Sequence, residues 1–252
     1  MVEDIRNFSL VELEAKFKAL GIESYRARQI FEWLYKKGVE DFSLMKNIPA
    51  DIKNWLSPYF AIGVPIVEKI ATSRDMTQKF LFRLKDGSFI ESVSIPFKSR
   101  LTLCLSTQVG CRFACAFCAS GALGFKRNLE TSEILAQFIA MRRNVAQSHV
   151  SNVVFMGVGE PLDNYDNVLK SIRIMNDERG VRLGIRKITL STSGLVPAIE
   201  RLAKEGLQVE LSVSLHAAND EKRTMLLPIN RRYPLKDLIE AVQDITRFLF
   251  MC

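Results

Sequence analysis

Gly110-Cys111-Arg112-Phe113-Ala114-Cys115-Ala116-Phe117-Cys118-Ala119 is the stretch on which the reading of this chain turns. Its cysteines, Cys111, Cys115 and Cys118, follow a C-x3-C-x2-C spacing, and the aromatic Phe117 directly precedes the last of them. Three thiolates this close in sequence can converge on one iron–sulfur cluster. A [4Fe–4S] cluster normally takes four cysteine thiolates. Three protein ligands therefore leave one iron with an open position for a substrate or cofactor.

Other readings of the same cysteines use them less well. A structural zinc ion takes four protein ligands. The two histidines of the chain, His149 and His216, lie away from the run, and there is no second C-x2-C knuckle. A disulfide framework belongs to short secreted chains. Here 252 residues carry five cysteines behind an N-terminus, Met-Val-Glu-Asp-Ile-Arg, that does not read as a signal peptide. Zinc and inert core cysteines stand as the alternatives. An open iron is the arrangement that holds and cleaves S-adenosylmethionine (SAM), so the run points to radical chemistry.

Composition sets outer bounds. The chain is 48% hydrophobic, enough for a sizeable core, and has no apolar run as long as a membrane span. The expected location is cytoplasmic, where thiols stay reduced. A net charge of +7 makes nucleic acid a plausible partner. The basic doublets Lys36-Lys37, Arg142-Arg143 and Arg231-Arg232 are scattered, and each alone reads as a solvated face.

Residues 1 to about 62 read as a small helical domain. Ser9-Leu-Val-Glu12 is a capping box, followed by Leu10, Leu13, Phe17 and Leu20 at helical spacing and a stop at Gly21. A second helix is expected from about Arg26 to Lys37, with Gly38 as its stop, and a third from about Ala50 to Tyr59. Residues 63–98 change period. Lys79–Leu84 and Phe89–Ile95 alternate apolar and polar around Asp86-Gly87, the signature of a β-hairpin, which is read as a linker. From residue 99 to 252, strands at about 101–106, 151–156, 187–191 and 208–214 alternate with helices at about 131–145, 164–177 and 196–205. A last amphipathic helix starts at Pro234 and carries Leu235, Leu238, Ile239, Val242, Ile245 and Phe248. Such alternation implies parallel strands with right-handed crossovers. The fold class is α/β, a partial (β/α) barrel.

In such barrels the active site lies at the C-terminal ends of the strands. The first strand runs into the cysteine loop and the second ends in Gly157-Val-Gly159-Glu160-Pro161. The third ends in Ser191-Thr192-Ser193-Gly194 and the fourth in Ser214-Leu215-His216. A glycine beside a carboxylate suits close approach to an amino group, and the serines suit a ribose or carboxylate. Each element alone is also compatible with an ordinary turn or a structural histidine. Together, above the cysteine loop, they mark one face as the site.

With these motifs in place, the chain resembles the RlmN family. These are radical SAM methyltransferases that methylate carbon 2 of adenine in 23S ribosomal RNA (rRNA) and in transfer RNA (tRNA). The resemblance rests on RARQIFEWLY (26–35), ESVSIP (91–96), LTLCLSTQVGCRFACAFC (101–118), GFKRNL (124–129), FMGVGEPLDNYDN (155–167), TLSTSG (189–194) and SLHAAND (214–220). It implies a [4Fe–4S] cluster on Cys111, Cys115 and Cys118. It also implies SAM contacts from Phe117, Gly159, Glu160, Ser191, Ser214, Leu215 and His216, an acid/base role for Glu91, and an adduct-resolving thiol at Cys104. It further implies two SAM molecules per turnover, one methylating a carrier cysteine and one cleaved to a radical. The implied partners are 23S rRNA and tRNA, an electron donor such as flavodoxin or ferredoxin, and no membrane, with a monomer as the full-length state. A sister family methylates carbon 8 of the same ribosomal adenine, and the GEPLxNY run favours the carbon 2 family.

The resemblance also implies six barrel strands, of which four are readable here, and a carrier cysteine beyond residue 252. Cys252 follows the last helix, whose end points away from the strand C-termini, so that role is not transferred to it. The alternative to a methyltransferase is a non-catalytic, cluster-holding RNA-binding fragment. A barrel ending at strand 208–214 leaves Val209, Leu211 and Val213 near an open edge, and open edges pair with other chains. The 252-residue chain alone is therefore expected to self-associate in size-exclusion chromatography and not to methylate RNA. A soluble monomer with multiple-turnover methylation would contradict both expectations.

Overall fold

The computed structural model describes residues 2–145 and 149–250. The N-terminal unit opens with β1 (Glu3–Asp4), followed by helices α1 (Leu10–Ala19), α2 (Ser24–Glu32) and α3 (Ala50–Leu56) and by β2 (Phe60–Ala61), which pairs in parallel with β1. The capping box forms as the sequence indicates. Ser9 Oγ accepts from Glu12 N at 3.3 Å, and Glu12 Oε2 accepts from Ser9 N at 2.7 Å. Leu13 and Phe17 then face the core. The expected second helix is one helix in two forms, because α2 passes into a π-helical turn over Trp33–Lys37 and stops at Gly38 in the left-handed region (φ 65°). The wider turn leaves the Tyr35 carbonyl free to accept from Arg142 Nη2 at 2.8 Å.

Strands β3 (Ile66–Thr72), β4 (Gln78–Arg83) and β5 (Phe89–Phe97) form an antiparallel meander. The Asp86-Gly87 turn closes the hairpin between β4 and β5, with Gly87 at φ 79°. Strand β3 escaped the sequence reading because nearly all of it is exposed and its pattern is not cleanly alternating. Then come β6 (Arg100–Cys104), β7 (Gln108–Gly110), α4 (Ala119–Ala122), β8 (Phe125–Asn128), α5 (Thr131–Asn144) and β9 (Asn152–Phe155). The chain continues through α6 (Tyr165–Asn176), β10 (Ile188–Thr192), α7 (Val196–Ala203), β11 (Glu210–Val213), α8 (Asp220–Leu226) and α9 (Leu235–Phe250).

One sheet runs in the order β11-β10-β9-β6-β5-β4-β3. Strands β6, β9, β10 and β11 are parallel, and β5 joins β6 antiparallel. The meander is thus continuous with the parallel sheet and extends it by three strands. This is the α/β architecture of a partial barrel that the alternation called for.

Register divides the residues between two faces. Ser94, Leu103, Val153 and Ile188 stand side by side on the buried face, under the crossover helices. Val93, Cys104, Val154, Thr189 and Glu210 stand side by side on the other. Glu91, two residues before Val93, shares that second face. At the open edge Val209 is buried, while Leu211 and Val213 are half-buried. In α9, Leu238, Ala241 and Ile245 face inward and Ile239 is exposed, so the apolar stripe is narrower than the sequence pattern implied.

Gln137 on α5 locks the helical face to the strand ends. It is fully buried and its Oε1 accepts from Ser92 Oγ at 2.7 Å and from Ser106 N at 3.0 Å. Its Nε2 donates to the Ser106 carbonyl at 3.1 Å. Gln137→Leu leaves these partners unsatisfied, each at a cost of about 1–3 kcal/mol. A clear fall in the denaturation midpoint is expected, and an unchanged midpoint would show the network to be dispensable.

Candidate functional site

The four parallel strands deliver their loops to one end of the sheet, and the loops join in a ring. After β6 the chain turns through β7, which pairs with β8, and the cysteine loop is the connection between them. Gly110 sits at φ 73°, where a Cβ would fall on the Gly124 carbonyl oxygen, so only glycine admits the tight entry to Cys111. Ala114, inside the loop, is left-handed at φ 47°, which costs an alanine about 1–2 kcal/mol. Cys111, Cys115 and Cys118 are all partly exposed and free of disulfides. Cys118 N donates to the Cys115 carbonyl at 3.0 Å.

The loop after β9 is bound to the first. Glu160 N donates to Gln108 Oε1 at 2.9 Å, and Arg112 Nε pairs with Asp163 Oδ2 at 2.8 Å. Gln108 Nε2 also donates to Asp163 at 2.7 Å and to Asn128 at 2.8 Å. The glycines of Gly157-Val-Gly159 have a packing role. A Cβ on Gly157 would meet the Leu105 carbonyl at 2.8 Å, and one on Gly159 would meet Gln108 Cβ at 2.6 Å. Gly159 thus packs closely against Gln108 on the neighbouring strand end.

Glu160 is 4% exposed. Its Oε2 accepts from Ser193 N and from Ser193 Oγ, both at 2.8 Å, and its Oε1 accepts from Leu162 N at 3.2 Å. Burial pushes its carboxyl up, against the pull of these donors and of the Thr192 hydroxyl. This joins the β9 loop to the β10 loop. The β10 loop joins α8, because the fully buried Arg223 donates from Nη2 to the Ser193 carbonyl at 2.6 Å. The ring closes where His216, left-handed at φ 58°, lies 4.3 Å from the Phe117 ring and where Ala116 N donates to the Leu226 carbonyl at 2.9 Å.

Phe117, Gly159, Glu160 and Ser214-Leu215-His216 are thus brought to the cysteine loop. Ser191 lies within β10, on the face shared with Thr189, and is partly exposed. Glu91 and Cys104 share that same face on neighbouring strands. The Ser106 hydroxyl donates to the Glu91 carbonyl, and the Glu91 carboxylate pairs with Lys79 Nζ at 2.9 Å. Cys104 is buried, and burial raises its thiol against a hydrogen bond from the Met156 backbone. Cys252 lies outside the described residues. The sequence reading missed Gln108, Arg112, Asp163 and Arg223. Asp163 lies inside the GEPLDN run it quoted, whereas Arg223, in a run of charged residues, reads as solvent-facing.

The donor set fits a cluster. Cys111, Cys115 and Cys118 are three free, partly exposed thiols on one loop, and a [4Fe–4S] cluster takes one thiolate per iron. The three cysteines are also electrostatically linked. Burial first, and then the charges of Glu160, Cys115 and Cys118, push Cys111 up to about 11 against a Phe113 backbone hydrogen bond. Burial, Cys118 and Glu160 raise Cys115, with Arg223 opposing them.

Comparison with known proteins places the chain. Residues 105–249 match the radical SAM superfamily, and residues 3–62 match the "Ribosomal RNA large subunit methyltransferase N-terminal domain". The dual-specificity RNA methyltransferase RlmN of Geotalea uraniireducens is 47% identical over 238 residues, 94% of this chain and 68% of the relative. That of Syntrophus aciditrophicus is 45% identical over 242 residues, 96% of this chain and 69% of the relative. A crystal structure of a radical SAM methyltransferase from Sphaerobacter thermophilus superimposes with a TM-score of 0.93 at 41% identity, covering 98% of this chain and 73% of that one.

A raised thiol is protonated at neutral pH, so ligation at Cys111 releases a proton and becomes easier as pH rises toward that value. In iron-free protein, alkylation of Cys111 by iodoacetamide should still be accelerating at pH 10. A rate that levels off near the free-cysteine value of about 8.5 would contradict this electrostatic picture.

Proposed function

The chain belongs to the RlmN family of the radical SAM superfamily, and from that membership we propose the reaction in which it takes part: transfer of a methyl group to carbon 2 of adenine in 23S rRNA and in tRNA, with the methyl-carrier step assigned to none of its described residues. The observation that carries the reading is the ring of strand-end loops, in which the three-cysteine run, Phe117, His216 and the buried Glu160 meet. Carbon 2 of adenine is electron-poor and a weak nucleophile, so ordinary displacement on SAM would be slow there. When bound, a [4Fe–4S] cluster supplies the electron for reductive cleavage of SAM.

The chain's own residues bind and orient. Cys111, Cys115 and Cys118 hold the cluster. Glu160 holds the SAM ammonium group, its carboxylate already aimed by Ser193 and Leu162. Phe117, Gly159, Ser191 and Ser214-Leu215-His216 line the rest of the SAM site. Glu91 moves the proton at the base, and Cys104 releases the product from the protein. Residues 1–62 grip RNA, residues 63–98 bridge, and residues 99–252 form the radical SAM core. The electron donor is a flavodoxin or ferredoxin, the full-length protein is a monomer, and the compartment is the cytoplasm. No described helix is long and apolar enough to cross a membrane.

Three measurements test this reading. Anaerobically reconstituted protein should hold about four irons per chain, and Cys115→Ala should lose the brown chromophore. Glu160→Ala should raise the Kd for SAM about 10- to 150-fold, since a charge-assisted hydrogen bond contributes about 1.5–3 kcal/mol. Disruption of the gene should remove 2-methyladenosine from 23S rRNA and tRNA. Persistence of that nucleoside, or loss of 8-methyladenosine instead, would overturn the assigned reaction.

A further inference from the structure

Arg223 occupies an unusual position. It is fully buried, and among the described residues it forms no ion pair. Its Nε has no hydrogen-bond partner. A buried cation without a directly paired carboxylate is costly, and burial accordingly lowers its pKa, opposed by the charges of Asp220 and Cys115. The guanidinium is nonetheless held at both ends. Nη1 donates to Asn230 Oδ1 at 2.7 Å, and Nη2 donates to the Ser193 carbonyl at 2.6 Å and, at the long limit of 3.5 Å, to the Ser214 carbonyl. Asn230 is fixed in turn, donating to Asp220 Oδ1 at 2.8 Å and to Thr224 Oγ1 at 2.9 Å. Room for the guanidinium depends on Gly194 (φ 110°), where a Cβ would stand 3.1 Å from Nη2.

Ser193 is the residue whose amide and hydroxyl both point at Glu160 Oε2. Pulling on its carbonyl sets the orientation of the serine and with it the direction of two of the three hydrogen bonds on that carboxylate. We infer that Arg223 is a positioning residue for substrate selection: through Ser193 it aims the Glu160 carboxylate, and so makes the site prefer ligands that carry an ammonium group. The inference rests on the reading of Glu160 as the ammonium holder given above. A residue needed only to fill the core beneath the loops would affect every ligand of the site alike. A residue that aims one carboxylate affects only ligands that use it.

The test compares two ligands on the reconstituted holoprotein by equilibrium dialysis. SAM carries the ammonium group. 5′-Methylthioadenosine keeps the nucleoside and the sulfur but lacks the amino acid. Arg223→Lys keeps the positive charge and loses the two-pronged grip. It should raise the Kd for SAM about tenfold, the scale of one misaligned charge-assisted hydrogen bond, and leave that for methylthioadenosine unchanged, with iron content as wild type. Equal losses for both ligands, or no loss for either, would overturn the inference. If Arg223→Lys fails to fold, Asn230→Ala loosens the other end of the same guanidinium and should show the same selective loss. Glu160→Gln separates the two ideas. If it retains the wild-type preference for SAM, the ammonium reading of Glu160 fails. If it loses that preference while Arg223→Lys keeps it, only the role of Arg223 fails.

Discussion

A carboxylate taken out of water must be solvated by the protein itself, and the arrangement of the strand-end loops follows from how Glu160 meets that demand. Its donors come from its own loop, through Leu162, and from the next strand, through Ser193. Its backbone amide is held by Gln108, which precedes the cysteine loop. Ser193 is held by Arg223, which precedes Leu226, and Leu226 holds Ala116 between two cysteines. Four loops from four strands are therefore fixed relative to one another by main-chain and buried side-chain bonds. A site that must hold a cluster and an amino acid at a fixed separation needs this, because loops tethered only to their own strands would not maintain the distance.

The two carboxylates to which separate roles are proposed sit in opposite environments. Glu160 is buried and locked by three donors, which suits a fixed electrostatic contact. Glu91 is paired with one lysine on the open face, its side chain 46% exposed. The proton exchange proposed for Glu91 requires a group that the reacting partner can reach, and Glu91 is the more exposed of the two. Environment, not residue type, separates the two roles.

Much of this was legible in the sequence, for identifiable reasons. The capping box at Ser9 and Glu12, the Asp86-Gly87 hairpin and the strand–helix alternation rest on local rules, and each formed within a few residues of its expected position. The C-x3-C-x2-C run and the ends of the parallel strands were visible because spacing and topology alone carry them. What was not legible depends on distant partners. The π-helical turn at Trp33–Lys37 is supported by Arg142, more than a hundred residues away. Arg223 looks like a surface charge in Asp-Glu-Lys-Arg, and only the fold shows that helix α8 turns it inward. The packing of Gly159 against Gln108 is likewise set by a residue on another strand.

The N-terminal unit shares one hydrophobic core with the rest of the chain, and polar contacts at the two ends of α5 add to it. Asn7 Oδ1 accepts from Ser132 N at 2.8 Å, where the helix begins, and Arg142 holds the Tyr35 carbonyl where it ends. Lys170 on α6 adds a third attachment, to Glu12 at 2.8 Å. Contacts at both ends of one helix resist rotation as well as separation, which a single point of attachment would not. The same helix carries Gln137, which reaches through to Ser92 within β5 and to Ser106 just beyond β6. Helix α5 is therefore the shared support of two surfaces, one facing the N-terminal unit and the other bracing the strand ends beside Glu91 and Cys104. A displacement of the N-terminal unit along α5 would have to be absorbed by a helix already anchored in the sheet.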